Sequence, residues 1–309
     1  MTVKLYGTSP RSIPQAEPIE YKSFTFSAGE IQVRLPDITG YDNLVIESRF
    51  PSSQDLIKIL MVYNAINEYT AYDGSVTLLL PYLPYSRQDR VCYPGEAFAL
   101  SVLAKMLDTQ RRAKDKVVTW DAHSDASEKV FHGMNFTNVS VESLIERFLK
   151  IGVTFDPETV VIAPDKGAWT RALMAARAIG SQKVIYAQKV RDTNDGSITA
   201  MTFGSDESNE TDLQGKHILI ADDICDGGRT FIELAKRLRE FNPASITLYV
   251  THGIFSKGFH VFYENNVLLI DKILTPNLFP GVQVPSPTPT GFNAPGVKLQ
   301  VAPVVYTLD

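Results

Sequence analysis

Residues 218–231 read ILIADDICDGGRTF. Within four residues an apolar run gives way to Asp222, Asp223 and Asp226 beside Gly227, Gly228, Arg229 and Thr230. Glycines let a backbone bend closely around an anion, and the N–H groups at the start of a following helix, with the Thr230 hydroxyl, can donate to it. That chemistry suits a phosphate. Carboxylates repel phosphate but accept hydrogen bonds from hydroxyls, so Asp222 and Asp223 point to a ribose. The segment reads as a sugar-phosphate site. The plain alternative is a tight turn with Asp226 as helix N-cap.

Other apolar runs end in reactive residues too. VTWDAHSD (118–125) puts Asp121 and His123 two positions apart on one side of an extended segment, where His123 could bind a metal or a phosphate. VVIAPDKGAWTRA (160–172) passes through Asp165, Lys166 and Gly167 into a helical pattern. Asp165 suits Mg²⁺ and Lys166 suits a diphosphate. LLLPYLPYSRQDR (78–90) ends in Arg87, Gln88, Asp89 and Arg90, more charge than a connecting loop requires. KVIYAQKVRDTNDGS (183–197) carries Lys189 and Arg191 into a polar, glycine-containing stretch that reads as a flap, with cations able to stabilise a transferring phosphoryl group. Neither a P-loop nor a G-x-G-x-x-G pattern occurs, so a nucleotide needs another architecture.

The elements that must position these residues follow from periodicity. Short β-branched runs at 76–82, 116–122, 159–165, 183–188, 216–222 and 245–252 alternate with amphipathic stretches at 53–69, 96–107 and 168–179. In the first of these, Leu56, Ile59, Leu60, Tyr63 and Ile66 make one apolar stripe. Strand alternating with helix predicts an α/β fold, with mainly parallel sheets flanked by helices and ligands bound beyond the carboxyl ends of the strands. The segment GVTFDP (152–157) suggests a division into domains 1–150 and 151–309, and the Pro-rich stretch 276–295 reads as a loop or hinge.

Composition limits the partners. In 309 residues with 44% hydrophobic content there is material for two cored domains. A net charge of −5 without a basic stripe argues against nucleic acid. Cys92 and Cys225 form neither a metal motif nor a disulfide framework, and no apolar run of membrane-spanning length or signal-peptide core occurs. A cytoplasmic enzyme without membrane contact is the expectation.

Taken together and in order, FSAGE (26–30), PYLPYSRQDR (81–90), DAH (121–123), APDKGA (163–168), the Lys189-x-Arg191 pair and DDICDGGRT (222–230) resemble the ribose-phosphate diphosphokinase family, also called phosphoribosyl pyrophosphate synthetase. The resemblance spans nearly the whole chain. It implies two tandem domains of the type I phosphoribosyltransferase fold and Mg²⁺-dependent transfer of the diphosphoryl group of ATP to the anomeric hydroxyl of ribose 5-phosphate, with release of AMP. It further implies that His123 and Asp165 contact Mg²⁺, that Lys166 and Gly167 hold diphosphate, and that Lys189 and Arg191 stabilise the transition state. Asp222, Asp223 and the Asp226–Thr230 loop would hold the sugar phosphate. Phe26, Glu30, Arg87 and Gln88 would form the ATP site. Phe26 and Glu30 would reach in from a neighbouring subunit, which implies a homo-oligomer built from dimers, a hexamer being one such assembly.

Three departures from the family pattern bear on that reading. Ala28 replaces the aspartate of FSDGE and removes a carboxylate expected near the adenine amino group. VCYPGEAF follows QDR where the family is rich in Lys and Arg, so regulation by ADP or phosphate is not expected to carry over. DGGRT replaces D-T-A-G-T, exchanging a small hydroxyl for a guanidinium. A more open loop with Arg229 could admit a phosphate that continues into a second one, which makes ADP-ribose an alternative acceptor. A phosphoribosyltransferase would need neither FSAGE nor SRQDR. A non-catalytic regulatory homologue would be expected to lose the metal-binding or flap residues.

Overall fold

The computed structural model describes residues 2–8, 16–191, 198–204, 212–264, 267–283 and 298–301. The chain forms two compact units that divide between Val139 and Ser140. In the first, strands β1 (Lys4–Thr8), β2 (Glu17–Ile19), β5 (Asn43–Glu47), β6 (Ser75–Leu80), β7 (Lys116–Trp120) and β8 (Asn135–Val139) make one sheet in the order β2-β1-β5-β6-β7-β8. It is parallel from β5 to β8, and β1 runs antiparallel to β5. Strands β3 (Lys22–Thr25) and β4 (Ile31–Arg34) form a separate hairpin. Helix α1 (Ser53–Asn67) starts at a capping box. The Ser52 hydroxyl accepts from the Asp55 N–H, and the Asp55 carboxylate accepts from the Ser52 N–H. Of its expected stripe, Leu56, Ile59, Tyr63 and Ile66 are buried and Leu60 is partly buried. Helices α2 (Ala99–Asp108) and α3 (Ala126–Val130) complete the unit.

The second unit opens with α4 (Val141–Lys150), β9 (Val160–Ala163), α5 (Trp169–Ile179), β10 (Lys183–Arg191), β11 (Ile198–Gly204), β12 (His217–Cys225), α6 (Arg229–Arg239) and β13 (Ser245–Gly253). After them come β14 (Tyr263–Glu264), β15 (Val267–Leu268), β16 (Lys272–Thr275), β17 (Asn277–Leu278) and β18 (Lys298–Val301). The sheet order is β11-β10-β9-β12-β13-β16-β18, with only β11 antiparallel to its neighbour and β17 also paired to β13. Successive residues of its central strands feed opposite cores, as the period of two requires. Val160, Ile162, Ile218 and Ile220 join Leu234, Ala235 and Leu238 of α6, whereas Val161, Ala163, Leu219 and Ala221 join Val141, Ile145, Phe148, Ala172 and Ala176 of α4 and α5. Burial on both faces is why these parallel strands read as unbroken apolar runs.

Several sequence expectations are corrected here. The division falls at Val139/Ser140 rather than after residue 150, because Val141, Ile145 and Phe148 bury their side chains in the second unit's core. Within the Pro-rich stretch, Asn277 and Leu278 pair with β13 and Asn277 is fully buried, so that part belongs to the sheet; residues 284–295 lie outside the described set. The helix expected over 96–107 begins at Ala99, since the Glu96 carboxylate is used to accept the Cys92 and Tyr93 N–H groups in a turn. Among the described residues no helix is long and apolar enough to cross a membrane.

Candidate functional site

In the first unit two loops that leave the carboxyl ends of β6 and β7 are tied together. The Trp120 N–H and the Thr119 hydroxyl both donate to the Pro81 carbonyl, at 3.1 and 3.2 Å. Asp89 then anchors the SRQDR segment. It accepts two hydrogen bonds from Arg90, at 2.7 and 2.8 Å, and one from the Ser124 hydroxyl at 2.5 Å. The Arg90 hydrogen bonds, helped by Ser124 and the nearby His123 imidazole, hold the buried Asp89 carboxyl well below the usual carboxylate range. Arg87, Gln88 and His123 are exposed around this anchor. Asp121 sits at φ +43°, a conformation that costs a non-glycine residue on the order of 1 kcal/mol, and its N–H donates to the Val139 carbonyl at 2.9 Å.

FSAGE forms the tip of the β3–β4 hairpin. The Phe26 N–H donates to the Glu30 carbonyl at 2.8 Å and the Gly29 N–H to the Phe26 carbonyl at 2.9 Å, with Gly29 at φ +98°. Phe26 is 55% exposed and meets Phe24 edge-on at 5.3 Å. Phe24 and Phe26 thus form an exposed aromatic pair on a two-stranded hairpin.

In the second unit the strand order β10-β9-β12 brings three candidate segments to adjacent strand ends. The exposed Asp165 follows β9, and its carboxylate accepts the Ala168 N–H at 3.1 Å, capping the short 3₁₀ turn Lys166–Ala168 that leads into α5. The Lys166 ammonium lies 5.4 Å over the ring of Tyr186 on β10, whose ring also takes the edge of Trp169 at 5.7 Å. Lys189 and Arg191 fall within the last three positions of β10, where their backbones pair with Met201 and Ile198 of β11 across a register shift; their side chains lie outside the described set, as do residues 192–197 of the expected flap.

Strand β12 is longer than its apolar run and carries both aspartates and Cys225 inside it. The Asp222 carboxylate accepts the Asp223 N–H at 2.9 Å. Arg171 of α5 brings Nη1 to 3.7 Å from Asp222 Oδ1 and Nη2 to 4.0 Å from Asp223 Oδ2, with the three side chains 11%, 19% and 8% exposed. Burial, then repulsion from Asp223, pushes the Asp222 carboxyl well above the usual range, against the pull of Arg171.

The loop that follows turns at Gly228, which is the N-cap of α6 at φ +76°. Its carbonyl accepts the Ile232 N–H at 2.9 Å, and no side chain caps the helix, so Asp226 is not the cap that turn chemistry alone would predict. The N–H groups of the first turn therefore have no side-chain cap. A Cβ on Gly228 would lie 3.2 Å from the Phe262 ring, and Phe262 packs with Phe255 and Phe259 in a buried aromatic pad beneath the loop. Arg229 is 90% exposed and bonds to Glu233 along α6 at 2.9 Å.

Within the second unit the structure thus assembles Asp165–Gly167, the end of β10, Asp222, Asp223 and Asp226–Thr230 on one sheet edge. His123, Arg87 and Gln88 gather separately in the first unit, with Phe26 and Glu30 on its hairpin. No group of three His, Cys, Asp or Glu side chains among the described residues could hold a metal by itself. A lone exposed carboxylate at Asp165 is nonetheless what Mg²⁺ uses when phosphates supply its other oxygens. Sequence reasoning missed Arg171, the Asp89–Ser124 anchor as such and the phenylalanine pad. The one available signal for Arg171 was a cation two residues past Trp169, in a helix aimed back at the sheet.

Residues 12–110 match the family described as the N-terminal domain of ribose phosphate pyrophosphokinase, and residues 140–271 match the phosphoribosyl transferase domain. The ribose-phosphate pyrophosphokinase of Pyrococcus abyssi is 32% identical over 235 residues, covering 75% of this chain and 76% of that protein. That of Pyrococcus furiosus is 28% identical over 257 residues, covering 82% and 84%. The crystal structure of phosphoribosylpyrophosphate synthetase from Mycobacterium smegmatis is similar in fold, with a TM-score of 0.65 at 20% identity over 92% of this chain and 86% of that one.

Proposed function

The chain belongs to the ribose-phosphate pyrophosphokinase family, and from that premise we propose that it transfers the diphosphoryl group of ATP to the anomeric hydroxyl of ribose 5-phosphate, giving phosphoribosyl pyrophosphate and AMP. The observation that carries this reading is the sheet edge of the second unit, where an Arg171-bridged aspartate pair on β12 runs directly into an uncapped helix N-terminus. Hydroxyl acceptors and phosphate donors a few residues apart fit the two ends of one sugar phosphate. Asp222 and Asp223 accept from the ribose hydroxyls, and the N–H groups of Gly227, Arg229 and Thr230 with the Thr230 hydroxyl take the 5-phosphate. The anomeric oxygen attacks the β-phosphorus and gives up its hydroxyl proton to solvent, the bond from that phosphorus to the oxygen shared with the α-phosphate breaks, and AMP leaves with that oxygen. Lys166, the Gly167 N–H, Lys189 and Arg191 offset the charge on the migrating group, since such transfers need positioning and neutralisation more than covalent help. Asp165 would hold Mg²⁺, which when bound would neutralise part of the triphosphate charge, and the resemblance gives His123 of the first unit a metal-contact role as well.

In this reading Arg87 and Gln88, exposed beside the Asp89 anchor, would belong to the ATP site, and a second copy of the chain would receive Phe26 and Glu30, exposed at the hairpin tip. Arg229, 90% exposed and paired with Glu233 along α6, keeps ADP-ribose as the alternative acceptor. The deciding assay mixes protein, ATP and Mg²⁺ with ribose 5-phosphate or ADP-ribose and measures AMP. We expect AMP with ribose 5-phosphate. AMP with neither acceptor would overturn the reading, and AMP with ADP-ribose alone would reassign the acceptor.

The aspartate pair also sets a pH dependence. Asp222 must be ionised to accept hydrogen bonds through both oxygens, and its carboxyl titrates above the usual range. Activity therefore rises with pH on the acid side as the pair loses its last proton. Arg171→Gln removes the nearest cation, so that limb of kcat/KM for ribose 5-phosphate should move to higher pH. An acid limb identical to wild type would show that Arg171 does not hold the pair.

A further inference from the structure

Three carboxylates, Asp222, Asp223 and Asp226, stand beside a loop read above as a phosphate site, and a phosphate dianion entering there needs a cation. Both obvious cations are committed elsewhere: Arg171 bridges Asp222 and Asp223, and Arg229 bonds to Glu233. The charge has a third source. Lys257, in the loop after β13, lays its stem against Gly227, with Cε 3.6 Å and Cδ 3.7 Å from the point where a Cβ would stand on that glycine. The ammonium is one bond beyond Cε, at the rim of the Asp226–Thr230 loop. Lys257 is exposed and makes no ion pair or hydrogen bond with another of the described residues.

The turn that carries Lys257 is fixed to the cradle itself. The Cys225 carbonyl, at the end of β12, accepts both the Ile254 and Phe255 N–H groups, at 2.9 and 3.0 Å. The Gly258 N–H closes the turn on the Phe255 carbonyl at 2.7 Å, with Phe255 at φ +44° and Gly258 at φ +70°. Phe255 and Phe259, on either side of the lysine, are buried in the pad that supports Gly228. Lys257 thus stands at the tip of a turn whose base is hydrogen-bonded to the strand that delivers the phosphate loop, so little ordering entropy remains to be lost in the backbone when the anion arrives.

We propose that Lys257 is a substrate-binding residue that supplies the cation for the sugar's terminal phosphate, making this cradle select a doubly charged phosphate monoester. The proposal rests on the reading of the Asp226–Thr230 loop as the sugar-phosphate site. A Cβ on Gly227 would only touch the lysine stem at ordinary contact distance, so the stem lies along the loop backbone itself. A charge-assisted hydrogen bond at a partly solvated rim is worth about tenfold in affinity.

The test compares the full chain with Lys257→Gln and Lys257→Arg by calorimetric titration with ribose 5-phosphate, unphosphorylated ribose and orthophosphate, alongside thermal unfolding and steady-state kinetics. Lys257→Gln should weaken ribose 5-phosphate and orthophosphate about tenfold and flatten the salt dependence of their binding. It should raise KM for ribose 5-phosphate rather than KM for ATP, leave the unfolding temperature in place and make no difference to ribose. Lys257→Arg should retain most of the affinity. Equal binding of both phosphate compounds by wild type and Lys257→Gln would overturn the proposal, as would a wild type that binds neither. If the wild type takes orthophosphate in a Lys257-dependent way but not ribose 5-phosphate, the role of Lys257 stands and the sugar reading is what fails.

Discussion

Lys189→Ala is expected to lower kcat for AMP release about a thousandfold while KM for ribose 5-phosphate and the unfolding temperature stay close to wild type. The backbone of Lys189 is the third position from the end of β10, paired to Met201, on the strand next to β9 and therefore beside the Asp165–Gly167 turn. In the ground state ATP carries its charge distributed along the chain of phosphates. At the transition state that charge gathers on the oxygens of the migrating group, and a cation that meets it only then acts on kcat rather than on binding. Loss of one such donor in other enzymes costs about 10²- to 10³-fold, and a cation delivered from a mobile element costs up to about 10⁵-fold. Arg191→Ala should act in the same direction, and the double variant should lose less than the product of the two losses if both cations meet the same oxygens. Single-turnover measurement with saturating ATP separates the chemical step from product release. Unchanged turnover in Lys189→Ala would remove it from the catalytic set and leave the charge on the diphosphoryl group to Lys166.

Much of the architecture was legible because it is governed by local patterning. Six of the strands announce themselves as buried apolar runs, and α1 announces itself by a 3.6-residue stripe behind the Ser52–Asp55 box. What escaped depends on contacts between distant residues. Ser140 caps α4 directly after β8, with its hydroxyl accepting the Ser143 N–H at 3.3 Å, so the chain crosses from one unit to the other without a glycine, proline or polar linker to mark the passage. GVTFDP has the composition of a boundary yet only joins α4 to β9. The carboxylates, glycines and lysines of the site were visible as strand-end chemistry, whereas the residues that hold them were not. Arg171 is one more cation on an amphipathic helix until α5 is folded against β12, and Asp89 gains its meaning only when Ser124, 35 positions away, donates to it. Asn277 looked like part of a hinge, yet it is fully buried with its side-chain amide 3.1 Å from the His252 ring.

Asp115→Ala should cost the first unit about 3 kcal/mol, the largest stability loss expected of any single truncation at its polar positions. Asp115 is fully buried and uses both carboxylate oxygens. It accepts from Arg112 Nε at 3.0 Å, Nη2 at 3.1 Å and the Arg112 N–H at 2.9 Å, from the Tyr63 hydroxyl at 2.7 Å and from the Val76 N–H at 2.8 Å. One side chain thereby joins α1, the start of β6 and the turn before β7. Removing one partner of a buried ion pair costs about 3–5 kcal/mol because the others are left desolvated. Arg112 is 26% exposed and retains the Gly74 carbonyl at 3.0 Å, which places the loss at the lower end. Asp115→Asn should cost less, since its amide oxygen still accepts from Val76 or Tyr63. The two differ again in acid. Burial raises the Asp115 carboxyl, but the hydrogen bonds from Arg112, Tyr63 and Val76 outweigh it and leave its folded pKa below the ordinary value. A depressed folded pKa contributes stability that is complete above the unfolded value of about 3.9 and is lost as the pH falls through the folded one. The gap in unfolding free energy between wild type and Asp115→Asn should therefore be flat above about pH 5 and narrow steadily below about pH 4. Urea unfolding followed by Trp120 fluorescence in a Trp169→Phe background, which leaves one tryptophan, reads the first unit alone. A gap that stayed constant down to the acid transition would mean that Asp115 is held by packing rather than by its charge.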